Sequence, residues 1–281
     1  MVEKLIELAG VALLSTQLFV DNTLIQVSKY EIKSNKIPKE FNKFKIVHLS
    51  DFHSYGFGKD NLKIIKKIDD EIPDIIVMTG DMVNKYDRNF AKFLNLAEAL
   101  SNKYKIYYIV GNHEVRLRKK DLDFVLKSLQ KFGIKILTDK KVTIVRRKEH
   151  INIYGIHIPL SYYKIINKPT NVEEVISKKL SKCKDDEYNI LLAHNPLYFE
   201  TYSKQNVDLI LSGHVHGGMI RLPFVGAVLS PERKFFPKYS SGVYELDNKK
   251  LLVSRGLGHS RNGIRLFNKR EVVSITLYSG K

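Results

Sequence analysis

Asp51, Asp81, Asn112 and five histidines (His53, His113, His194, His214 and His216) are the residues of this chain best suited to chemistry. They sit in five short motifs: Asp51-Phe52-His53, Gly80-Asp81, Gly111-Asn112-His113-Glu114, His194-Asn195-Pro196 and Gly213-His214-Val215-His216. Two carboxylates, one amide and five imidazoles suffice for a site holding two metal ions. Mixed oxygen and nitrogen donors suit Mn²⁺, Fe or Zn²⁺ better than Ca²⁺, and the lack of thiolate argues against a structural zinc.

Taken singly, the motifs are weak. Asp-x-His recurs by chance, and Gly80-Asp81 also reads as a turn glycine beside a helix-capping aspartate. Gly111-Asn112-His113-Glu114 is more specific, because Asn and His together at a strand end are uncommon in plain packing. Strongest is Gly213-His214-Val215-His216 before Gly217-Gly218, where two imidazoles straddle a tight bend and can serve separate ions. Loops at strand ends converge on one edge of an α/β sheet, so the order of the set matters more than any member.

The elements that must position these residues follow from periodicity. Phe44 to Ser50, Asp74 to Thr79 and Ile106 to Val110 read as strands, each ending at a motif. Helical spacing over Asn61 to Ile72, Asn89 to Leu100 and Leu122 to Lys131 follows each in turn. That alternation indicates βαβ units with parallel strands. Asn189 to Ala193 and Val207 to Leu211 lead to the two later motifs. Val142 to Arg146, Ile151 to Ile156, Gly242 to Leu246, Lys250 to Ser254 and Val272 to Leu277 are also strand-like. The fold class expected is α/β, a two-sheet β-sandwich flanked by helices.

Composition sets looser bounds. At 281 residues the chain can bury a large core, and no repeat or low-complexity linker divides it. The net charge of +17, from 47 Lys and Arg against 30 Asp and Glu, favours anionic partners. A lysine-rich solvated surface gives the same number, so charge alone decides nothing. The single Cys183 excludes an intrachain disulfide. Leu8 to Val20 is an uncharged run of 13 residues, whereas a spanning helix needs roughly 20. A packed or membrane-surface helix is the preferred reading, ahead of an anchor or a cleaved signal.

The five motifs resemble the signature of the calcineurin-like metallophosphoesterases: Asp-x-His, Gly-Asp, Gly-Asn-His-Asp/Glu, a lone His, then Gly-His-x-His. The tail is similar to a bacterial, often membrane-associated phosphodiesterase and UDP-diacylglucosamine pyrophosphatase-like branch, through Arg221-Leu222-Pro223, Gly256-Leu257-Gly258-His259-Ser260 and Arg265-Leu266-Phe267-Asn268. Two departures are Asn84, where the branch commonly has Asp, and Arg270, where Pro often precedes Glu271. The resemblance implies a four-layer metallophosphoesterase domain over 40–281, after an apolar helix and lead-in over 1–39. It implies a first metal on Asp51, His53, Asp81 and His216, and a second on Asp81, Asn112, His194 and His214. His113 would stay off the metals and face the scissile phosphate as the catalytic residue.

Charge arithmetic fits that implication. Two divalent ions, two carboxylates and a bridging hydroxide leave a surplus of about +1, suited to a phosphodiester. The function expected is hydrolysis of phosphodiester or pyrophosphate bonds, with a lipid-linked or sugar-nucleotide substrate and Mn²⁺ as the first-choice ion. A metal-dependent nuclease is the alternative enzyme, with nucleic acid a less favoured partner. A Ser/Thr protein phosphatase fits less well, because Asp81-Met82-Val83-Asn84 lacks the usual Asp-Arg-Gly continuation. The non-enzyme alternative is a basic peripheral membrane or binding module. An anionic membrane surface is a further expected partner, no protein partner is inferred, and the expected location is cytoplasmic, with membrane association through the N-terminal segment. Arg221, Arg255, His259 and Arg265 are candidates to line the cleft. Arg116, Arg118, Lys119 and Lys120 could flank a polyanion, and Tyr162 and Tyr163 beside Lys164 could stack on a base or headgroup.

Overall fold

The computed structural model of the chain describes residues 2–163, 169–218, 220–222, 224–230, 235–259 and 265–280. Lys164, Pro223 and Ser260 lie outside the described residues. The first half runs α1 (Val2–Thr23), β1 (Ile25–Ser34), β2 (Phe44–Leu49), α2 (Leu62–Asp69), β3 (Ile75–Met78), α3 (Ala91–Ser101) and β4 (Lys105–Tyr108). There follow α4 (Asn112–Val115), α5 (Lys119–Lys131), β5 (Lys135–Ile136), β6 (Lys140–Arg146), β7 (Glu149–Ile156), α6 (Val172–Leu180) and β8 (Asn189–Ala193). The rest is α7 (Phe199–Ser203), β9 (Leu209–Ser212), β10 (Ile220–Leu222), β11 (Gly226–Leu229), β12 (Gly242–Leu246), β13 (Lys249–Val253) and β14 (Arg270–Ser279).

Side chains alternate along a strand, and here both faces are apolar, so each sheet must be covered twice. In β2 and β3, Ile46, Ile75 and Val77 turn to one face while Val47, Leu49, Ile76 and Met78 turn to the other. The first face meets Ile153, Ile190, Leu192, Leu209 and Leu211 of the second sheet, forming the central core. The opposite face packs on α2, α3 and α5 through Ile64, Ile68, Phe93, Leu96 and Val125. Leu191 and Ile210, on the outer face of the second sheet, are covered by α6 and α7 through Ile176, Leu180 and Tyr202. The result is the expected two-sheet sandwich flanked by helices.

The first sheet has the order β1-β14-β2-β3-β4-β5 and the second β12-β13-β9-β8-β7-β6. β2, β3 and β4 are mutually parallel, as are β7, β8 and β9. The loops after β2, β3 and β4 therefore leave one end of the first sheet. Those after β8 and β9 leave one end of the second. β1, in the stretch read as a lead-in, pairs parallel with β14 from Ile25↔Arg270 to Ser34↔Ser279. α1 leaves Ile6, Leu8, Val11, Leu13 and Phe19 exposed. No helix among the described residues is long and apolar enough to cross a membrane.

Candidate metal centre

Sharp turns follow the strands because the ligand candidates adopt left-handed backbone. Asp51, His53, Asp81, His214 and His216 all have φ between 47° and 71°. Non-glycine residues rarely sit there, and such conformations persist only where the surroundings fix them. Two glycines permit the approach of neighbouring loops. A Cβ on Gly111 would lie 2.3 Å from Asp81 Oδ1, and one on Gly213 would lie 2.2 Å from Asp51 Oδ2.

The turns bring the predicted donors together. Asp81 Oδ2 lies 3.2 Å from His194 Nε2, 4.0 Å from His53 Nε2 and 3.9 Å from His113 Nε2. His216 Nε2 lies 3.4 Å from Asp51 Oδ1 and 3.1 Å from His53 Nε2. Asn112 Oδ1 is 3.1 Å from His194 Nε2. His214 is edge-on to His194, with ring centroids 5.1 Å apart. Donors about 2.1 Å from a shared ion are spaced by roughly 3 Å, close to these separations. Among the described residues, three groups bring one donor atom each to within 4.8 Å of one another: Asp51 with His53 and His216, Asp81 with His194 and His214, and His53 with Asp81 and His113.

Proton placement strengthens the fit. His194 Nδ1 is 2.8 Å from the Thr79 carbonyl, so it carries the proton and donates. In the neutral ring that leaves the Nε2 lone pair facing Asp81 Oδ2 and Asn112 Oδ1, both electron-rich; in the charged ring Nε2–H donates to Asp81. Burial lowers the His194 pKa, yet the charge and hydrogen bond of Asp81, joined by the charges of Asp51 and Glu114, together outweigh it and lift the value to about 9. The site attracts positive charge. Burial pushes His53 down to about 3 and, with His53 alongside, His216 well below the usual range. Neutral imidazoles are the form that ligates a metal.

Glu114 shapes the other half. Its carboxylate accepts from the backbone amides of Asp81 (2.8 Å), Met82 (2.6 Å), Val83 (3.2 Å) and Gly111 (2.9 Å). Asp81 Oδ1 in turn accepts from the His113 amide at 2.7 Å. Sequence reading quoted Glu114 without giving it this task; the signal was a carboxylate three residues beyond Gly111. His113 is more open than the other histidines of the cluster, its side chain 21% exposed against 2% for His53 and His194. The Lys85 amide donates to His113 Nδ1 at 3.2 Å. In the neutral ring this leaves the proton on Nε2, which faces the site.

The lesser candidates divide. Arg265 is buried and spends its guanidinium on main-chain carbonyls, while Arg255 pairs with Glu271 at 2.9 Å. Arg221 donates to the Gly217 carbonyl, and His259 contacts Arg270. None of these four is a solvated cation lining an open cleft. Arg118 pairs with Asp121 on α5, and Arg116, Lys119 and Lys120 are exposed. Tyr162 is buried, and Tyr163 stands edge-on to His214 at 5.1 Å. Of the two departures, Asn84 accepts from the Tyr86 amide in a turn. Arg270 is buried, donates to the Asn22 and Leu257 carbonyls and stacks on Tyr55 at 3.7 Å.

Residues 44–218 match the calcineurin-like phosphoesterase family. The chain is 31% identical to the uncharacterized metallophosphoesterase YkuE of Bacillus subtilis, over 93% of this chain and 88% of the relative. It is 27% identical to the phosphodiesterase YaeI of Escherichia coli, over 83% of this chain and 82% of that one. Among solved structures, a phosphopantetheinyl hydrolase from Mycobacterium tuberculosis superimposes with a TM-score of 0.47 at 12% identity, covering 79% of this chain and 95% of that one. With the donor cluster at the strand ends and the family match over most of its length, this chain belongs to the calcineurin-like phosphoesterases and is a metallophosphoesterase.

Proposed function

We propose that this hydrolase cleaves phosphodiester or pyrophosphate bonds with two divalent ions, Mn²⁺ being the first choice. Asp51, His53, Asp81 and His216 would hold one ion, and Asp81, Asn112, His194 and His214 the other. The observation that carries the reading is the convergence of His194 Nε2 on Asp81 Oδ2 at 3.2 Å and on Asn112 Oδ1 at 3.1 Å, in surroundings that favour positive charge. When bound, two such ions acidify water and neutralise phosphoryl oxygens.

The protein's own part is to orient and to move a proton. Asn112 contributes an oxygen without charge, leaving the site electropositive toward a phosphate. His113 presents Nε2–H at the open side, where it can donate to a phosphoryl or leaving-group oxygen. Dialysis against chelator should abolish hydrolysis of bis(p-nitrophenyl) phosphate, and Mn²⁺ should restore it. H113A should keep both ions while losing about 100-fold or more in turnover. Undiminished hydrolysis after metal removal sinks the proposal.

The substrate we favour is lipid-linked, met at an anionic membrane surface. Support comes from exposed apolar side chains that border the segment beside the site. Asn22, at the end of α1, bonds the Arg265 carbonyl at 2.9 Å, and the Arg221 amide of β10 bonds the Leu266 carbonyl at 3.2 Å. α1 carries Leu13 and Phe19 exposed, and the β10–β11 turn carries Phe224 and Val225 exposed. A helix of 22 residues offers a side about 33 Å long. Hydrolysis should be faster for a lipid-linked diphosphate in anionic vesicles than for a nucleotide diester or single-stranded DNA. Preference for DNA, with binding steeply dependent on salt, would favour a nuclease instead.

A further inference from the structure

The loops bearing the first ion's ligands are gripped from outside by the segment that leads into β14. On one side, the Leu257 amide donates to the Ser50 carbonyl at 3.1 Å and the Gly258 amide to the Asp51 carbonyl at 2.5 Å. The approach is so close that a Cβ on Gly256 would lie 2.8 Å from Asp51 Cβ, and one on Gly258 2.3 Å from the Phe52 carbonyl. On the other side, Asn268 Nδ2 donates to the carbonyls of His216 at 2.7 Å and Gly218 at 2.6 Å.

Arg265 joins the two grips. It is 3% exposed, and every acceptor it reaches among the described residues is a main-chain carbonyl. Its guanidinium donates to Arg255 (2.9 Å), Gly256 (3.3 Å), Gly258 (2.7 and 3.2 Å) and Asn268 (3.4 Å). Burying a cation is costly, and apolar packing of the same volume is often more stabilising. A planar fork bonded to the carbonyls of Arg255, Gly256 and Gly258 on one side and of Asn268 on the other does what apolar packing cannot: it fixes how those two stretches sit against each other.

We infer that Arg265 and Asn268 are positioning residues for the first ion, the one proposed on Asp51, His53 and His216, and act on it selectively. The inference rests on the two-ion reading above. Three of the second ion's ligands have separate supports, Glu114 for the Asp81 and Asn112 loops and the Thr79 carbonyl for His194; the fourth, His214, is held through its amide by Asp51. No hydrogen bond among the described residues runs from Arg265 or Asn268 to Asp81, Asn112 or His194.

The test is Mn²⁺ titration of the full chain, read by bound metal and by electron paramagnetic resonance, for wild type, R265K, N268A and H194A. Two neighbouring Mn²⁺ ions give an exchange-coupled spectrum, and a lone ion gives six lines. R265K keeps the charge and loses the fork; N268A releases only the His216 and Gly218 carbonyls and decides the matter if R265K does not fold. Each should bind one Mn²⁺ as wild type does and the other about 10- to 100-fold more weakly. H194A should weaken the opposite ion. Variants that keep the coupled pair at wild-type affinity, or lose both ions together, overturn the positioning role. A wild type that never takes up two ions sinks the two-ion reading and this inference with it.

Discussion

The loops of the first sheet and those of the second reach the same centre but are held by different means. Around Asp81 and Asn112 the chain is locked from within, because one buried carboxylate gathers four amides from two successive loops. Around His194, His214 and His216 the supports are borrowed. The Asp51 carboxylate takes the His214 amide at 3.0 Å, the Thr79 carbonyl takes His194, and Asn268 takes the carbonyls flanking Gly217. An oxygen-rich half organises itself, and a nitrogen-rich half is organised only once the sandwich has closed. Metal binding by the second half is thus a report on how the two sheets pack.

The sharpest way to break that comparison is at their closest approach. Gly213 faces Ser50 and Asp51, and an added Cβ would meet Ser50 Oγ at 1.9 Å as well as the carboxylate. Backbone must shift, and a misplacement of about 1 Å can cost about 100-fold in rate. G213A should therefore lose two-ion binding and at least that factor in turnover, whereas G10A, with open space around it, should lose neither. Mn²⁺ titration alongside diester hydrolysis checks both. A fully active G213A would mean that the halves need not touch.

Much of this was legible in the residues. The strand-end motifs stood out because runs of apolar β-formers stop abruptly at Asp51, Asp81, Asn112, His194 and His214, and the parallel strands then bring those ends together. β1 was not legible, since its partner β14 lies at the other end of the chain, and its stretch was read only as a lead-in. Glu114 escaped for a different reason: it binds amides, which every residue but proline carries, so no partner sequence marks it. Arg265 was read as a cleft cation, because residue type reports charge and not direction. Its guanidinium points into the protein toward carbonyls.

A second, smaller effect sharpens the idea of a self-locked half. E114A would orphan four buried amides, each lost acceptor costing about 1–3 kcal/mol before relaxation. We expect at least about 3 kcal/mol of destabilisation by urea unfolding in chelator. E114Q, with one acceptor oxygen in place of two, should fall between E114A and wild type. N268A under the same conditions frees only the His216 and Gly218 carbonyls and should cost about 2 kcal/mol. Equal losses for E114A and N268A would remove the distinction between the halves.

The smallest expected effect lies at the seam. His48 of β2 contacts Thr79 Oγ1 through Nε2 at 2.7 Å, and the Thr79 carbonyl holds His194, so one residue links the two sheets' contributions. Burial alone pushes the His48 pKa from 6.5 down to about 3. Below pH 6.5 the unfolded chain takes up this proton more readily than the native one. The stability due to the neutral ring is thus complete above pH 6.5 and is lost progressively as pH falls toward 3. At pH 5.5 the loss should reach about 1.4 kcal/mol. H48Q has no proton to take up, and the other histidines are common to both proteins. In chelator, its urea-unfolding free energy should fall less than that of wild type between pH 7.5 and 5.5, by that amount. Parallel pH dependence in the two proteins would place the acid sensitivity in the ligand histidines and leave His48 as packing between the halves.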